Sequence, residues 1–205
     1  MTSPLHIRIA DALARLGSLS RWHENQEALA EHLSPLQARA LVLVQRRRGI
    51  RVGALAKELL VTYGTLSAAV SSLEEKGLIA KYVDPDEHRA VNLEVTRKGA
   101  AMARRAEAWA GELLAPPVDD LAPDEAAALL ASLLKLIRAF ERRGTIAAAR
   151  MCLSCRYFVP HGGRGARPHF CRLLEEPIGE ADLRVDCPEH EPADPDRLEE
   201  LWQEA

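Results

Sequence analysis

The stretch from Val52 to Ile79, "VGALAKELLVTYGTLSAAVSSLEEKGLI", limits the fold more than any other part of the chain. Its first eight residues read as a short helix. Thr62 is placed to cap a second helix, from Tyr63 to Lys76, that stops at Gly77, a residue suited to the left-handed turn that ends helices. Two helices joined by a few residues, the second opening on small polar groups, make the helix-turn-helix pattern. In that pattern the second helix enters the major groove of duplex DNA, where its N-terminal residues meet base edges.

The flanking segments extend this arrangement. Ser34-Pro35 reads as N-cap and first position of the helix "PLQARALVLVQRRR", which stops at Gly49. "LIAKYV" and "AVNLEV" alternate as strands do, with the turn-rich "DPDEH" between them, so they predict a hairpin with a charged tip, a wing. Leu5, Ile9, Leu13, Leu16 and Leu19 fall on one face of an N-terminal helix reaching about Leu33. "TRKGAAMARRAEAWAGELLA" is helical and is expected to break at Pro116-Pro117. In "APDEAAALLASLLKLIRAFERRG", Pro123, Asp124 and Glu125 suit the first turn of a last helix. Its apolar set (Leu129, Leu130, Leu133, Leu134, Leu136, Ile137 and Phe140) is wider than one stripe. Such a helix needs cover on several sides, and a dimer interface built from the helices near both chain ends supplies it.

Charge separates the same regions. Residues 34–105 hold 13 basic and 7 acidic side chains, whereas residues 106–205 hold 11 basic and 19 acidic, inside a net charge of -3. A basic middle in an acidic whole points to a polyanion-binding face there. Aromatic residues are only 4% of the chain, which favours helix over sheet. The N-terminus lacks the apolar core of a signal peptide, and no run nears the roughly 18 apolar residues of a membrane helix. A cytoplasmic protein without a membrane partner is the expectation.

The predicted fold class is mainly α with a small β-hairpin wing. Residues 1–33 form an N-terminal dimerisation helix, 34–99 a winged helix-turn-helix domain, and 100–146 further dimerisation helices. Residues 150–191 are a cysteine-rich module without an apolar core of its own, and 192–205 a tail in which Leu198, Leu201 and Trp202 share a face. No nucleophile–base pair, carboxylate pair or cofactor fingerprint is present, so an enzyme is not expected.

The order of elements and three segments resemble the MarR family of transcriptional regulators over about residues 5–146. These segments are Leu73 to Ile79 ("LEEKGLI"), Glu87-His88-Arg89 at the wing tip, and Leu93 to Gly99 ("LEVTRKG"). The resemblance implies a dimer that binds palindromic double-stranded DNA and usually represses transcription. It also implies a small aromatic or phenolic effector between the dimer helices and the DNA-binding lobe. Arg15, Trp22 and His23 are candidates to line that site, although Trp22 is equally suited to the core. The chain departs from the family where an Arg or Lys is common, carrying Ala68, Ser71 and Ser72 on the recognition helix and His88 on the wing.

The candidate DNA-binding residues are therefore Thr62, Tyr63, Thr65, Ser67, Ser71 and Ser72 on the recognition helix, and His88 and Arg89 on the wing. Hydroxyls pair with several bases and discriminate weakly, so shape readout by Arg89 in a narrow minor groove, steadied by Glu87, carries more of the specificity. Lys57, Lys81, Arg97 and Lys98 are candidates for phosphate contact. A competing reading is a winged-helix scaffold that no longer reads DNA.

All four cysteines lie in one module, spaced Cys152-x2-Cys155-x15-Cys171-x15-Cys187. Two residues between the first pair is the spacing of a metal knuckle, and the other two thiols complete a set of four soft donors. A zinc ion, structural or regulatory, is one candidate. A [4Fe–4S] cluster acting as a redox sensor is the alternative, and Cys187-Pro188 matches the Cys-Pro that often closes such sites. His169 and His190 stand near enough in sequence to be ligands, but read more readily as surface residues. "HGGRGARPH" lacks the Lys-Ser/Thr of a P-loop, and its Arg164 and Arg167 read as solvating the loop.

Overall fold

A computed structural model describes residues 4–83, 91–194 and 196. The chain divides into two compact units, residues 1–117 and 118–205.

The first unit opens with α1 (Leu5–Ala30), followed by α2 (Pro35–Arg46), β1 (Ile50–Arg51), α3 (Val52–Glu58) and α4 (Tyr63–Glu75). Then come β2 (Ile79–Val83), β3 (Val91–Val95) and α5 (Arg97–Asp119), of which residues 97–117 belong to this unit. Ser34 starts α2 as expected: its Oγ accepts the Gln37 N–H at 3.2 Å, while Gln37 Oε1 accepts the Ser34 N–H at 3.0 Å. Two otherwise unpaired amides are thereby satisfied reciprocally. β2 and β3 pair antiparallel from Ile79↔Val95 to Val83↔Val91, and β1 adds to the far side of β3, giving the order β1-β3-β2. The wing is therefore part of a three-stranded sheet. Its first strand, two residues long, has no period to read.

The core of this unit gathers Leu41 and Val44 of α2, Leu55 of α3, Leu66, Val70 and Leu73 of α4, Leu93 of β3, and Trp109 of α5. The junction of β3 with α5 explains "LEVTRKG". Thr96 Oγ1 donates to the Gly77 carbonyl at 2.7 Å and accepts the Gly99 N–H at 3.0 Å. A Cβ on Gly99 would sit 1.9 Å from the Leu78 carbonyl oxygen, so only glycine lets α5 start this close to β2.

Only Ala28 of α1 is buried, and Leu5, Ile9, Leu13, Leu16 and Leu19 form an exposed apolar row in the single chain. The expected break at Pro116-Pro117 is corrected, because α5 runs through both prolines to Asp119. The proline ring holds φ near its helical value, so the helix continues although each proline lacks an N–H donor and crowds the carbonyl four residues back.

The second unit holds α6 (Pro123–Arg142) and a compact module after it. The module has a one-turn 3-10 helix at Cys152–Ser154, then β4 (Phe158–Val159), β5 (His169–Cys171) and β6 (Glu176–Ile178) in antiparallel order β4-β5-β6. The Ala122 N–H donates to Glu125 Oε2 at 3.0 Å, and Asp124 and Glu125 lie in the first turn of α6, as expected. The expectation of a coreless module is corrected. Ala131 and Leu134 of α6 are buried together with Met151, Leu153, Phe158 and Leu183. α6 therefore uses one apolar face for the module, while Leu129, Leu136 and Phe140 remain exposed in the single chain. Arg138 donates to the Leu153 carbonyl, and Glu141 accepts the Ala149 N–H. Burial is the chief cause holding the Glu141 carboxyl above its usual range. The tail residues Leu198, Leu201 and Trp202 lie outside the described residues. No described helix is long and apolar enough to cross a membrane.

Candidate nucleic-acid interface and metal centre

α4 presents two different faces. Leu66, Val70 and Leu73, spaced by four and three, point into the core and are fully buried. Thr62, Tyr63 and Thr65 are exposed, whereas Ser67, Ser71 and Ser72 are half-buried. Thr62 is the N-cap, its Oγ1 accepting the Thr65 N–H at 3.2 Å and lying 2.8 Å from Thr65 Oγ1. Both hydroxyls are thus partly committed to holding the helix start. Tyr63, next to them, extends a large side chain outward.

Among the cations, Lys57 on α3 is exposed, whereas Lys81 on β2 is paired with Glu74 at 2.6 Å. Lys98 donates to the Lys76 carbonyl at 3.3 Å. Arg47 and Glu58, paired at 3.0 Å, tie α2 to α3 and fix the helices around the turn. Glu87, His88 and Arg89 lie outside the described residues.

Arg15, Trp22 and His23 do not share either cavity of the first unit described below. Trp22 is exposed rather than in the core, His23 Nε2 lies 3.1 Å from the Trp109 carbonyl, and Arg15 borders a shallow depression with Asp11 and Ser18. The deeper apolar cavity of this unit, about 290 Å³, lies instead among Pro35, Ala38, Leu43, Leu59 and Trp109.

In the second unit all four cysteines line one cavity of about 230 Å³. Cys152 and Cys155 flank the 3-10 turn, where the Cys155 N–H donates to the Cys152 carbonyl at 3.0 Å. Cys171 ends β5, and Cys187 is anchored through its N–H to the Arg150 carbonyl at 2.7 Å. The thiols are all free and border a common space rather than meeting at a point. Among the described residues no group of three or more His, Cys, Asp or Glu side chains stands ready to hold an ion. Burial pushes the Cys152 thiol up, and so do the other three thiols, while the Arg184 N–H, 3.2 Å from its Sγ, works the other way.

Arg184 was missed by sequence reading. Besides that backbone contact, its Nη1 lies 3.6 Å from Cys187 Sγ and 3.8 Å from Glu189. The available signal was its place three residues before Cys187. Neither histidine lines the cavity. His169 is buried, not on the surface, with its ring centroid 5.1 Å from that of Phe158, and Nδ1 accepts the His161 N–H at 3.3 Å. Burial holds its pKa down. His190 Nε2 is 3.0 Å from Ser154 Oγ. Arg167 also departs from expectation, donating to the Pro177 carbonyl at 3.1 Å. The loop before it closes tightly at Gly163, whose Cβ would meet the Arg167 carbonyl oxygen at 2.1 Å.

Comparison with known proteins bears on these sites. The MarR family model matches residues 33–90. No curated protein matches the chain. Among solved structures, Streptococcus pneumoniae FabT in complex with DNA is similar at TM-score 0.60 and 21% identity, covering 67% of this chain and 98% of that one. The Staphylococcus aureus MepR–DNA complex is similar at TM-score 0.55 and 22% identity, covering 63% and 96%. A MarR-family transcriptional regulator from Silicibacter pomeroyi has TM-score 0.55 and 26% identity, covering 62% and 85%. Each of the three thus leaves about a third of this chain without a counterpart. The chain carries the winged helix-turn-helix fold of the MarR structures, with its family match centred on the residues that build α2 to the wing.

Proposed function

We propose that the chain is a dimeric DNA-binding transcriptional regulator, a repressor in its usual mode, with a metal centre on Cys152, Cys155, Cys171 and Cys187. The observation that carries the DNA reading is the two-faced α4, locked inward by Leu66, Val70 and Leu73 with Tyr63 and Thr65 turned outward at its N-terminus. The likeness to FabT and MepR, both solved with DNA, supports it. Tyr63, Thr65, Ser67, Ser71 and Ser72 meet bases in the major groove, Lys57 and Lys81 meet phosphates, and His88 and Arg89 reach the minor groove. The exposed apolar row of α1 supports a homodimer, which sets two recognition helices on a palindromic operator.

The metal would be held by the four thiolates lining the cavity. It would cross-link segments distant in sequence and, as zinc, give a colourless closed site with structural or regulatory effect. The alternative is a redox-active cluster on the same residues.

Selection of bound duplexes from a random pool, followed by titration at several salt concentrations, tests the DNA reading. A preferred palindrome and an affinity falling steeply with salt are expected. Failure to enrich any sequence would favour the scaffold reading. On the selected operator, Arg89→Ala and Tyr63→Ala should each cost about 1–3 kcal/mol of affinity while leaving the dimer intact. Unchanged affinity in mobility-shift titrations would remove those residues from the interface.

A further inference from the structure

On the reading that the four thiols hold a metal centre, we infer that the group in this cavity is a [4Fe–4S] cluster, and that the Arg184 guanidinium sets its reduction potential.

The spread of the thiols favours the cluster over a single ion. A zinc ion needs its four sulfurs about 2.3 Å from one centre. The four thiols here border one cavity, and among the described residues no three such side chains converge on a point. A cluster, which bridges its cysteines through several irons and inorganic sulfide, suits donors set farther apart. The lining favours it too. Buried Phe158 and half-buried Ile178 line the same cavity and give it an apolar side, which suits a soft, polarisable cluster. In the sequence, the last thiol is followed directly by Pro188, the Cys-Pro arrangement found at such clusters.

Arg184 stands at the polar side of this cavity. Its backbone N–H donates to Cys152 Sγ at 3.2 Å, and its Nη1 lies 3.6 Å from Cys187 Sγ. One residue thus reaches thiols from both ends of the module. Hydrogen bonds and positive charge at ligand sulfurs stabilise the more negative, reduced cluster and raise its potential. The ion pair of Arg184 with Glu189, at 3.8 Å, keeps the guanidinium at the cavity edge. A side-chain substitution removes the guanidinium and leaves the backbone donor in place, so the two contributions separate.

The test uses the full chain, purified without oxygen and reconstituted with ferrous iron and sulfide. Iron, zinc and acid-labile sulfide are measured with the visible spectrum. About four irons and four sulfides per chain in a brown protein are expected. A colourless protein with one zinc and no sulfide would overturn the cluster and keep the metal reading. Protein that holds neither, with four reactive thiols, would overturn both. Dithionite then supplies one electron per cluster, taking it from the 2+ to the 1+ state, in the unaltered chain, Arg184→Gln and Arg184→Lys. Arg184→Gln should keep its iron and sulfide but be reduced at a lower potential, with Arg184→Lys closer to the unaltered chain. Equal potentials in all three would overturn the role of Arg184. So would failure of Arg184→Gln to hold iron where Arg184→Lys does, since that assigns the side chain to assembly instead.

Discussion

The two units of this chain differ in how much apolar surface they bury. Among the described residues, the core of residues 1–117 draws on seventeen buried apolar side chains from five helices and the sheet, whereas that of residues 118–205 draws on seven. The strands of the first unit are five residues long at the wing, while those of the second are two or three. Strands that short bury little and pair weakly, so a cross-link through the four cysteines, as proposed above, would add most to the second unit.

With the metal centre proposed above, the largest effect should come from stripping the metal. Removing it with a chelator, or substituting Cys152→Ser with Cys155→Ser, should collapse amide-exchange protection in β4 to β6, a loss of more than about 5 kcal/mol. Protection in α2 to α5 should hardly change. If both units lost protection together, the contrast between them would not stand. Next come the two cores. Leu66→Ala and Leu134→Ala, both fully buried, should each cost about 2–5 kcal/mol in denaturant unfolding. Only Leu134→Ala should also lower metal retention, which elemental analysis reads directly. Ser34→Ala removes one half of the reciprocal cap of α2 and should cost about 1 kcal/mol, seen as a lower melting temperature for the first unit alone.

The smallest effect is a pH dependence in the second unit. Tyr157 Oη donates to Glu191 Oε1 at 2.5 Å, which lowers the Glu191 pKa and raises that of Tyr157. A carboxyl held low contributes stability above its ordinary range and loses it as pH falls through the depressed value. A phenol held high contributes below its ordinary range and loses it as pH rises through the raised value. The pairing of Arg156 with Glu191 and of Cys155 with Pro192 should therefore loosen at both extremes. Amide exchange in Tyr157→Phe should show a weaker dependence at each end.

Much of the first unit was legible from residues whose effects are local. Ser34, Thr62 and Gly77 act within one turn of themselves, and Leu66, Val70 and Leu73 reveal a face by spacing alone. The "LEVTRKG" junction was recognisable by resemblance, but its reason, the Gly99–Leu78 approach, appears only when two distant segments meet. The second unit was legible mainly in its four cysteines. The burial of His169, the inner face of α6 and the reach of Arg184 depend on how strands of two or three residues fold back, and no periodicity encodes that. Pro116 and Pro117 misled because a proline states which donor is missing, not whether its neighbours still hold the turn.

The inner face of α6 also matters during synthesis. Residues 123–142 leave the ribosome well before the segment from Met151 to Leu183 that covers Ala131 and Leu134. Until that segment emerges, the helix carries bare leucine towards water and towards other nascent chains. A gene truncated just after Gly144 would make this condition permanent, so its product should be sticky even though every residue of the first unit is present.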